Sequence, residues 1–242
     1  MTMTQHAQAG AHGRPQPPLP DAVSLRDHPL FEAFSEADFE RISRHARRAR
    51  LAARQLLYQQ DTPAQHFYFV VSGRLRLFRL DASGVERTLD SLAAGDCFAE
   101  VMIYADAARY ACYAEAVRAS EVLMIPIQAY REMLRLRPAY TENALRHYAS
   151  RAVERFHDLE IMTLQNARDR LVRYLLDLCP ANAARNVEVE LPLPKCLVAS
   201  RLAMQPETLS RLLQELKRQN LVLVERGRVI ILDPVRLNQL AC

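Results

Sequence analysis

The side chains best placed for chemistry lie near the C-terminus, in Gln205-Pro206-Glu207-Thr208-Leu209-Ser210-Arg211-Leu212-Leu213-Gln214-Glu215-Leu216. Proline is tolerated in the first turn of a helix and disrupts its interior, so Pro206 starts a helix and separates it from Pro194-Lys195-Cys196-Leu197-Val198-Ala199-Ser200-Arg201-Leu202. The break falls near Ala203-Met204, which gives the punctuation of a helix-turn-helix. On the second helix Leu209, Leu213 and Leu216 share one face, while Glu207, Ser210, Arg211 and Gln214 share the other. In a DNA major groove, arginine can donate two hydrogen bonds to guanine, glutamate can accept from the cytosine amino group, and serine can meet either partner type. The alternative is a surface ion pair between Glu207 and Arg211, spaced i, i+4, worth about half a kcal/mol.

The elements that must position this helix can be read on both sides of it. Val187-Glu188-Val189-Glu190-Leu191 precedes the helical pair, and Leu221-Val222-Leu223-Val224 with Val229-Ile230-Ile231 follows it, joined by Glu225-Arg226-Gly227-Arg228. A hairpin beside two helices is the layout of a winged helix. Asn166 can cap a helix over residues 167–179, and residues 180–186 form a polar break. Upstream, residues 140–163 read as one long helix in which Leu145, Ala149, Ala152, Phe156 and Leu159 recur at alternating spacings of four and three. That period fits a coiled-coil seam between two copies of the chain; the alternative is an amphipathic helix lying on its own domain.

Residues 51–127 carry short strand patterns: His66-Phe67-Tyr68-Phe69-Val70-Val71, Arg74-Leu75-Arg76-Leu77-Phe78-Arg79-Leu80, and Thr88-Leu89. Ser72-Gly73, Ser83-Gly84 and Ala94-Gly95-Asp96 mark turns. Arg74, Arg76 and Arg79 beside Leu75, Leu77 and Leu80 describe a strand with one wet face. A small antiparallel β-roll fits this spacing. Ser35 with Asp38 three residues later makes a variant capping box for a short first helix carrying Phe39, Ile42 and Ala46. Residues 1–22 are rich in Gln, Ala, Gly, His and Pro and read as a loose tail.

The bulk properties agree with two domains. The chain has 242 residues and a net charge of +4. Residues 1–166 hold 20 Arg and 20 acidic side chains, whereas residues 167–242 hold 10 Arg and 2 Lys against 8 acids, so the excess sits in the C-terminal third. This suits contact with phosphates, although an ordinary solvated surface carries such an excess too. Cys97, Cys112, Cys179, Cys196 and Cys242 are scattered and form no CxxC pair, which argues against a disulfide scaffold or a zinc site and predicts buried free thiols. No Gly-rich phosphate loop, HExxH or GxSxG motif occurs, so an enzyme is not expected. No run of residues is long and apolar enough to span a bilayer, and a cytoplasmic location is expected.

Residues 206–213, preceded by Leu197-Val198-Ala199-Ser200-Arg201-Leu202, resemble the recognition region of Crp/Fnr regulators, and the Glu-x-x-Ser-Arg face is similar to that of the Fnr branch. The resemblance covers nearly the whole chain after the tail. It implies an α+β fold with an N-terminal cyclic-nucleotide-binding-like antiparallel β-roll, a long dimerisation helix and a C-terminal winged helix-turn-helix. The expected divisions are 1–22, 23–138, 139–165 and 166–242. By resemblance, Glu207, Ser210 and Arg211 read a TTGAT-type half-site, with Gln205 and Thr208 on phosphates or the rim. The implied partners are double-stranded DNA, a second copy of the chain and RNA polymerase, with no membrane.

The resemblance also narrows the signal. Nucleotide-binding members hold the phosphate with a Gly-Glu-Leu stretch and an Arg followed by Ser or Thr, ten residues after the Glu. Here the stretch is Phe98-Ala99-Glu100-Val101, and the tenth and eleventh positions are Tyr110 and Ala111. Arg109 is one place early, which on a strand turns a side chain to the opposite face, so no cyclic nucleotide is expected. No cysteine precedes Cys97, so no iron–sulfur cluster is expected either.

His28-Pro29-Leu30-Phe31-Glu32, Phe98 to Tyr104, Asn166 to Leu176 and Leu197 to Arg211 are similar to the Dnr-type branch, which is thought to sense nitric oxide through haem and to control denitrification. That resemblance implies haem b, with His28 as the first candidate axial ligand and His66 the second. For either ring the commoner role is that of a surface or helix-end histidine. The expected effector pocket is Phe98, Glu100, Met102 and Tyr110. A regulator sensing another small molecule or a redox signal, and a β-roll signalling module that binds no DNA, are the alternatives.

Overall fold

The computed structural model describes residues 24–105, 108–163, 166–180, 185–225 and 228–239. The expected tail, residues 226–227 of the hairpin, and Cys242 lie outside them.

The described chain opens with a turn of 3-10 helix at Leu25–Asp27 and helix α1 (Glu36–His45), whose Ser35 cap accepts from the Asp38 amide. Then come β1 (Arg47–Leu51), β2 (Leu56–Tyr58), β3 (His66–Leu80), β4 (Glu86–Ala93), β5 (Cys97–Phe98) and β6 (Tyr113–Pro126), with a 3-10 turn at Glu100–Ile103 between the last two. All pairings are antiparallel, in the order β1-β6-β3-β4, with β2 on β6 and β5 on β3. Strand β4 is therefore an edge. The sheet curls around two apolar clusters, one holding Phe31, Phe67 and Tyr130, the other Tyr68, Leu75 and Phe98.

Two expectations need correction here. Ser72-Gly73 is no turn: β3 runs unbroken past it, with register shifts from Val70 to Leu75. Gly73 has φ 94°, and a Cβ there would lie 2.2 Å from Ser120 Oγ and 2.6 Å from the Ala119 carbonyl, so the glycine serves a bulge pressed against β6. Nor do the arginines of β3 share a wet face. Arg76 is only 5% exposed, donating to Glu115 at 3.0 Å and Glu86 at 2.6 Å, with its guanidinium 4.3 Å from the Phe78 ring centre. Paired carboxylates on neighbouring strands make that burial tolerable.

Helix α2 (Ile127–Leu136) packs back on the sheet, and α3 (Pro138–Thr163) then runs 26 residues. Helix α4 (Ala167–Asp177), with Asn166 accepting from the Asp169 amide, leads into β7 (Val187–Glu190), α5 (Lys195–Arg201), α6 (Pro206–Arg218), β8 (Val222–Glu225), β9 (Arg228–Ile231) and α7 (Pro234–Asn238). The second sheet has the order β7-β9-β8. Its helices share one core around Leu171, Leu175, Val198, Leu209, Leu213 and Leu216. The expected α+β architecture, with a β-roll, a long helix and a winged helix-turn-helix, is what folds.

Of the cysteines among the described residues, Cys97 and Cys112 are buried, Cys179 is half-buried and Cys196 is exposed. Burial therefore holds for only two of these four thiols. Cys196 lies in the first turn of α5, where a short amphipathic helix leaves one side to solvent. Among the described residues no helix is long and apolar enough to cross a membrane.

Candidate DNA interface and effector cavity

The turn between α5 and α6 is held from both sides. Ala203 sits in the left-handed region at φ 50°, and the Met204 amide donates to the Ala199 carbonyl. Arg170 on α4 donates to the Leu202 and Ala203 carbonyls, at 2.9 and 3.3 Å. A helix end leaves carbonyls without internal partners, and this guanidinium supplies one. Arg168 reaches Gln219 and Glu215 at the far end of α6. Helix α4 thus fixes the turn ahead of α6 and the far end of α6 itself.

On α6 the split between faces is sharp. Leu209, Leu212, Leu213 and Leu216 are buried, one more leucine than the periodic reading named. Glu207, Ser210, Arg211 and Gln214 are exposed, Gln205 is exposed at the cap, and Thr208 is half-buried. No ion pair forms between Glu207 and Arg211, so the side chains of the polar face remain available to a ligand.

The sensor side of α3 holds a second feature. Between its inner face and the Phe98–Val101 segment is a cavity of about 560 Å³, walled by Leu77, Phe98, Val101, Tyr104, Ala144 and Tyr148, with Glu100, Arg151 and Arg155 at its polar margin. Tyr148 donates to the Glu100 carbonyl at 3.0 Å, tying helix to sheet. Phe98 and Glu100, named from sequence, line this space. Met102 and Tyr110 do not. Met102 packs into the apolar clusters beside it. Tyr110 stacks on Tyr58 at 3.8 Å, shares a hydrogen bond with the Tyr68 hydroxyl at 2.9 Å and donates to the His66 carbonyl. Burial raises the pKa of all three tyrosines. Arg109 donates instead to the Asp61 carbonyl at the surface.

A smaller cavity of about 420 Å³ lies across α3, lined by His28, Asp96, Cys97, Asn143, His147 and Arg151 among others. His28 sits edge-on to Phe69 and to His147, whose ring centre is 5.2 Å away. Its Nδ1 accepts from the Leu30 amide at 3.2 Å. Desolvation, and then His147, lowers its pKa from 6.5 to about 4, so the ring is neutral at pH 7. The buried Nε2 of His147 has no hydrogen-bond partner and lies 3.8 Å from Glu100 Oε1. Sequence reading missed His147, because nothing in its spacing shows that α3 would place it against His28. His66, at the start of β3, has a pKa lowered by burial. Among the described residues no three His, Cys, Asp or Glu side chains converge as a metal site.

The row Leu145, Ala149, Ala152, Phe156 and Leu159 on α3 is exposed throughout, with Leu145, Phe156 and Leu159 exposing 61, 69 and 60% of their surface; Leu145 and Ala152 also border the 560 Å³ cavity, so the row runs along its rim.

A family model for a cyclic nucleotide-binding domain matches residues 48–137, and one for a Crp-like helix-turn-helix domain matches residues 169–240. The crystal structure of DNR from Pseudomonas aeruginosa is 31% identical, aligning 89% of this chain with 95% of that one at a TM-score of 0.50. The chain belongs to the Crp/Fnr family of transcription regulators. A cyclic AMP receptor protein of Thermus thermophilus is 28% identical over 90% of this chain and 98% of its own length. The structure of FixK2 from Bradyrhizobium japonicum, 21% identical, shares the fold at a TM-score of 0.67 over 81% of this chain and 98% of that one. This Crp/Fnr chain is thus a DNA-binding regulator and not an enzyme, as its motifs led one to expect.

Proposed function

We propose that the protein acts as a homodimer that reads TTGAT-N4-ATCAA-like sites and responds to nitric oxide through haem b, controlling denitrification or anaerobic respiration genes together with RNA polymerase. The observation that carries the DNA half is the bare polar face of α6 above a fully buried leucine face. Glu207, Ser210 and Arg211 reach base edges, while Gln205 and Thr208 meet phosphates or the rim. The exposed Leu145, Phe156 and Leu159 seat on the same residues of a second copy, because apolar side chains in this regular row gain about 25 cal/mol per Å² when covered. Two half-sites one helical turn apart then match two recognition helices. The protein works in the cytoplasm, where its DNA is.

The 560 Å³ cavity would hold the macrocycle of a haem, while the candidate histidines line the smaller cavity across α3, and Arg151 borders both. The apolar walls of the larger cavity suit a macrocycle, and Arg151 and Arg155 at its margin suit carboxylates. A histidine that held the iron would need an unengaged imidazole nitrogen. His28 accepts at Nδ1, so its neutral ring carries the proton at Nε2 and must change tautomer or break that bond to ligate; the Nε2 of His147 has no such bond to break. Bound iron supplies the bond to the diatomic gas. The chain's own residues supply the dry wall and the imidazole, and α3 carries the change toward the DNA reader. No cyclic nucleotide and no iron–sulfur cluster take part in this reading. Tyr110, ten residues after Glu100, is engaged with Tyr58 and Tyr68 and brings no cation for a phosphate.

Two measurements test the proposal. A gel shift should show the TTGAT-N4-ATCAA duplex bound in preference to a scrambled one, with an inverse salt dependence of about 0.9 in log K per phosphate neutralised. Haem titration should give a Soret band that shifts with nitric oxide and is lost in His28→Ala or His147→Ala. If equal affinity is found for both duplexes, the operator reading fails; a stoichiometric haem spectrum indifferent to both histidines removes these ligands.

A further inference from the structure

The helix-turn-helix does not hang free of the sensor. Helix α5 packs on the edge strand β4, and the contact is polar and specific. The Thr88 amide donates to Ser200 Oγ at 2.9 Å, and the Ser200 hydroxyl donates to the Glu86 carbonyl at 3.0 Å. An edge strand presents unpaired backbone groups, and here one serine satisfies two of them. Two residues on, the Asp90 carboxylate, 8% exposed, pairs with Arg201 of α5 at 3.0 Å and also with Arg155 of α3. The register of β3 against β4 shifts between Thr88 and Asp90, which leaves Leu89 as the extra residue of a bulge. Bulges of this kind re-aim side chains at a strand edge.

Three elements therefore meet on one buried carboxylate. Arg155 also borders the 560 Å³ cavity on one side and, on the other, a second space of about 540 Å³ shared by Leu89, Leu159, Ser200 and Ala203. In helix-turn-helix complexes the first helix crosses the sugar–phosphate backbone. Here the last turn of that helix is turned to the sensor, and a carboxylate sits against Arg201 as a phosphate would.

We propose that Asp90, with the Glu86–Thr88 edge of β4, is an autoinhibitory latch: it holds α5 against the sensor, must open for the reader to settle on DNA, and is released through Arg155 when the adjoining cavity is filled. The inference rests on the DNA-binding reading of α6 but not on the identity of the effector. Arg151 of α3 also lies 3.8 Å from Asp90, so a ligand that draws Arg155 into the cavity takes one of three cations from this carboxylate, and the dock loosens. Coupling then has a physical carrier, a single side chain shared by pocket and latch.

The test uses full-length protein with Asp90→Asn and, separately, Arg155→Gln, both on the sensor side and outside the reading face. Amide exchange of residues 86–90 is followed with and without a TTGAT-N4-ATCAA duplex, and affinity is read by fluorescence anisotropy against that duplex and a scrambled one. Without DNA, both variants should speed exchange across residues 86–90 at least about tenfold, leaving β1 and β6 unchanged, and both should bind the operator about five- to tenfold more tightly than wild type. Operator DNA should also deprotect residues 86–90 in wild type. Continued protection of that segment in the DNA complex, or variants that undock without gaining affinity, would overturn the latch. If neither wild type nor variants prefer the operator, the assumed half-site is wrong, while the exchange comparison still decides whether Asp90 holds α5 to β4.

Discussion

Helices α6 and α3 are both two-faced, and they expose opposite chemistry. Helix α6 buries four leucines in its own domain and shows solvent Glu207, Ser210, Arg211 and Gln214. Helix α3 buries Tyr140 and Ala144 against the sensor and shows solvent Leu145, Val153, Phe156 and Leu159. A polar face can stay in water at no cost until a base edge replaces the water. An apolar row cannot, since a contiguous exposed apolar surface on one helix marks an interface. The first helix is built to read and the second to pair, and reading two half-sites depends on the pairing.

The largest effect should follow from breaking the apolar row. Phe156→Glu places a charge where the two copies meet, so sedimentation should show a monomer, and operator affinity should fall by at least about a hundredfold because one half-site alone remains. The melting curve of the sensor should hardly move, as Phe156 touches little of its own domain. A dimer that survives the substitution would mean that another surface pairs the chains.

Next in size is the hidden face of α6. Leu216→Ala removes a fully buried side chain and should cost about 2–5 kcal/mol of stability in the C-terminal domain, read by urea denaturation. Smaller again is the open face. Arg211→Ala should leave folding unchanged, cost about 1–3 kcal/mol in operator binding, and relax choice at one base position while scrambled-duplex affinity barely changes. Equal losses on both duplexes would make Arg211 a phosphate contact. The pair of substitutions separates the two faces: one moves stability, the other moves specificity.

How much of this was legible in the sequence follows the range of the interactions involved. The α5–α6 break, the Ser35 and Asn166 caps and the leucine face of α6 rest on contacts within a few residues, so spacing and proline position expose them. Arg76 reads as a wet-face residue because its partners Glu86 and Glu115 are 10 and 39 positions away, and only the register of β3 between β4 and β6 brings them together. Ser72-Gly73 has turn composition, yet β6 on its flank turns it into a bulge. His147, on the inner side of α3, and the Asp90 meeting point have no local signature at all. Each is made by elements more than a hundred residues or several strands apart, which no periodicity records.

The inner side of α3 offers the last and smallest effect, and it separates that helix's two sides by pH. His28 is held neutral with a pKa of about 4 against an ordinary 6.5, through desolvation first and the neighbouring His147 second. A histidine whose folded pKa is depressed binds protons better when unfolded. Its contribution is therefore complete above about pH 6.5 and is lost as pH falls toward 4. A shift of this size corresponds to roughly 3 kcal/mol if undiminished, and the partial exposure of the ring brings it to about 2 kcal/mol. His28→Asn keeps an acceptor for the Leu30 amide but cannot titrate. Between pH 7 and pH 4 the wild type should lose about 2 kcal/mol more than this variant in urea denaturation, with carboxylate effects common to both cancelling in the difference. The monomeric Phe156→Glu background should show the same gap, because the ring belongs to the sensor side of α3 and not to the paired face. A gap that vanishes in the monomer would mean instead that pairing, rather than packing within one chain, is what dries the ring.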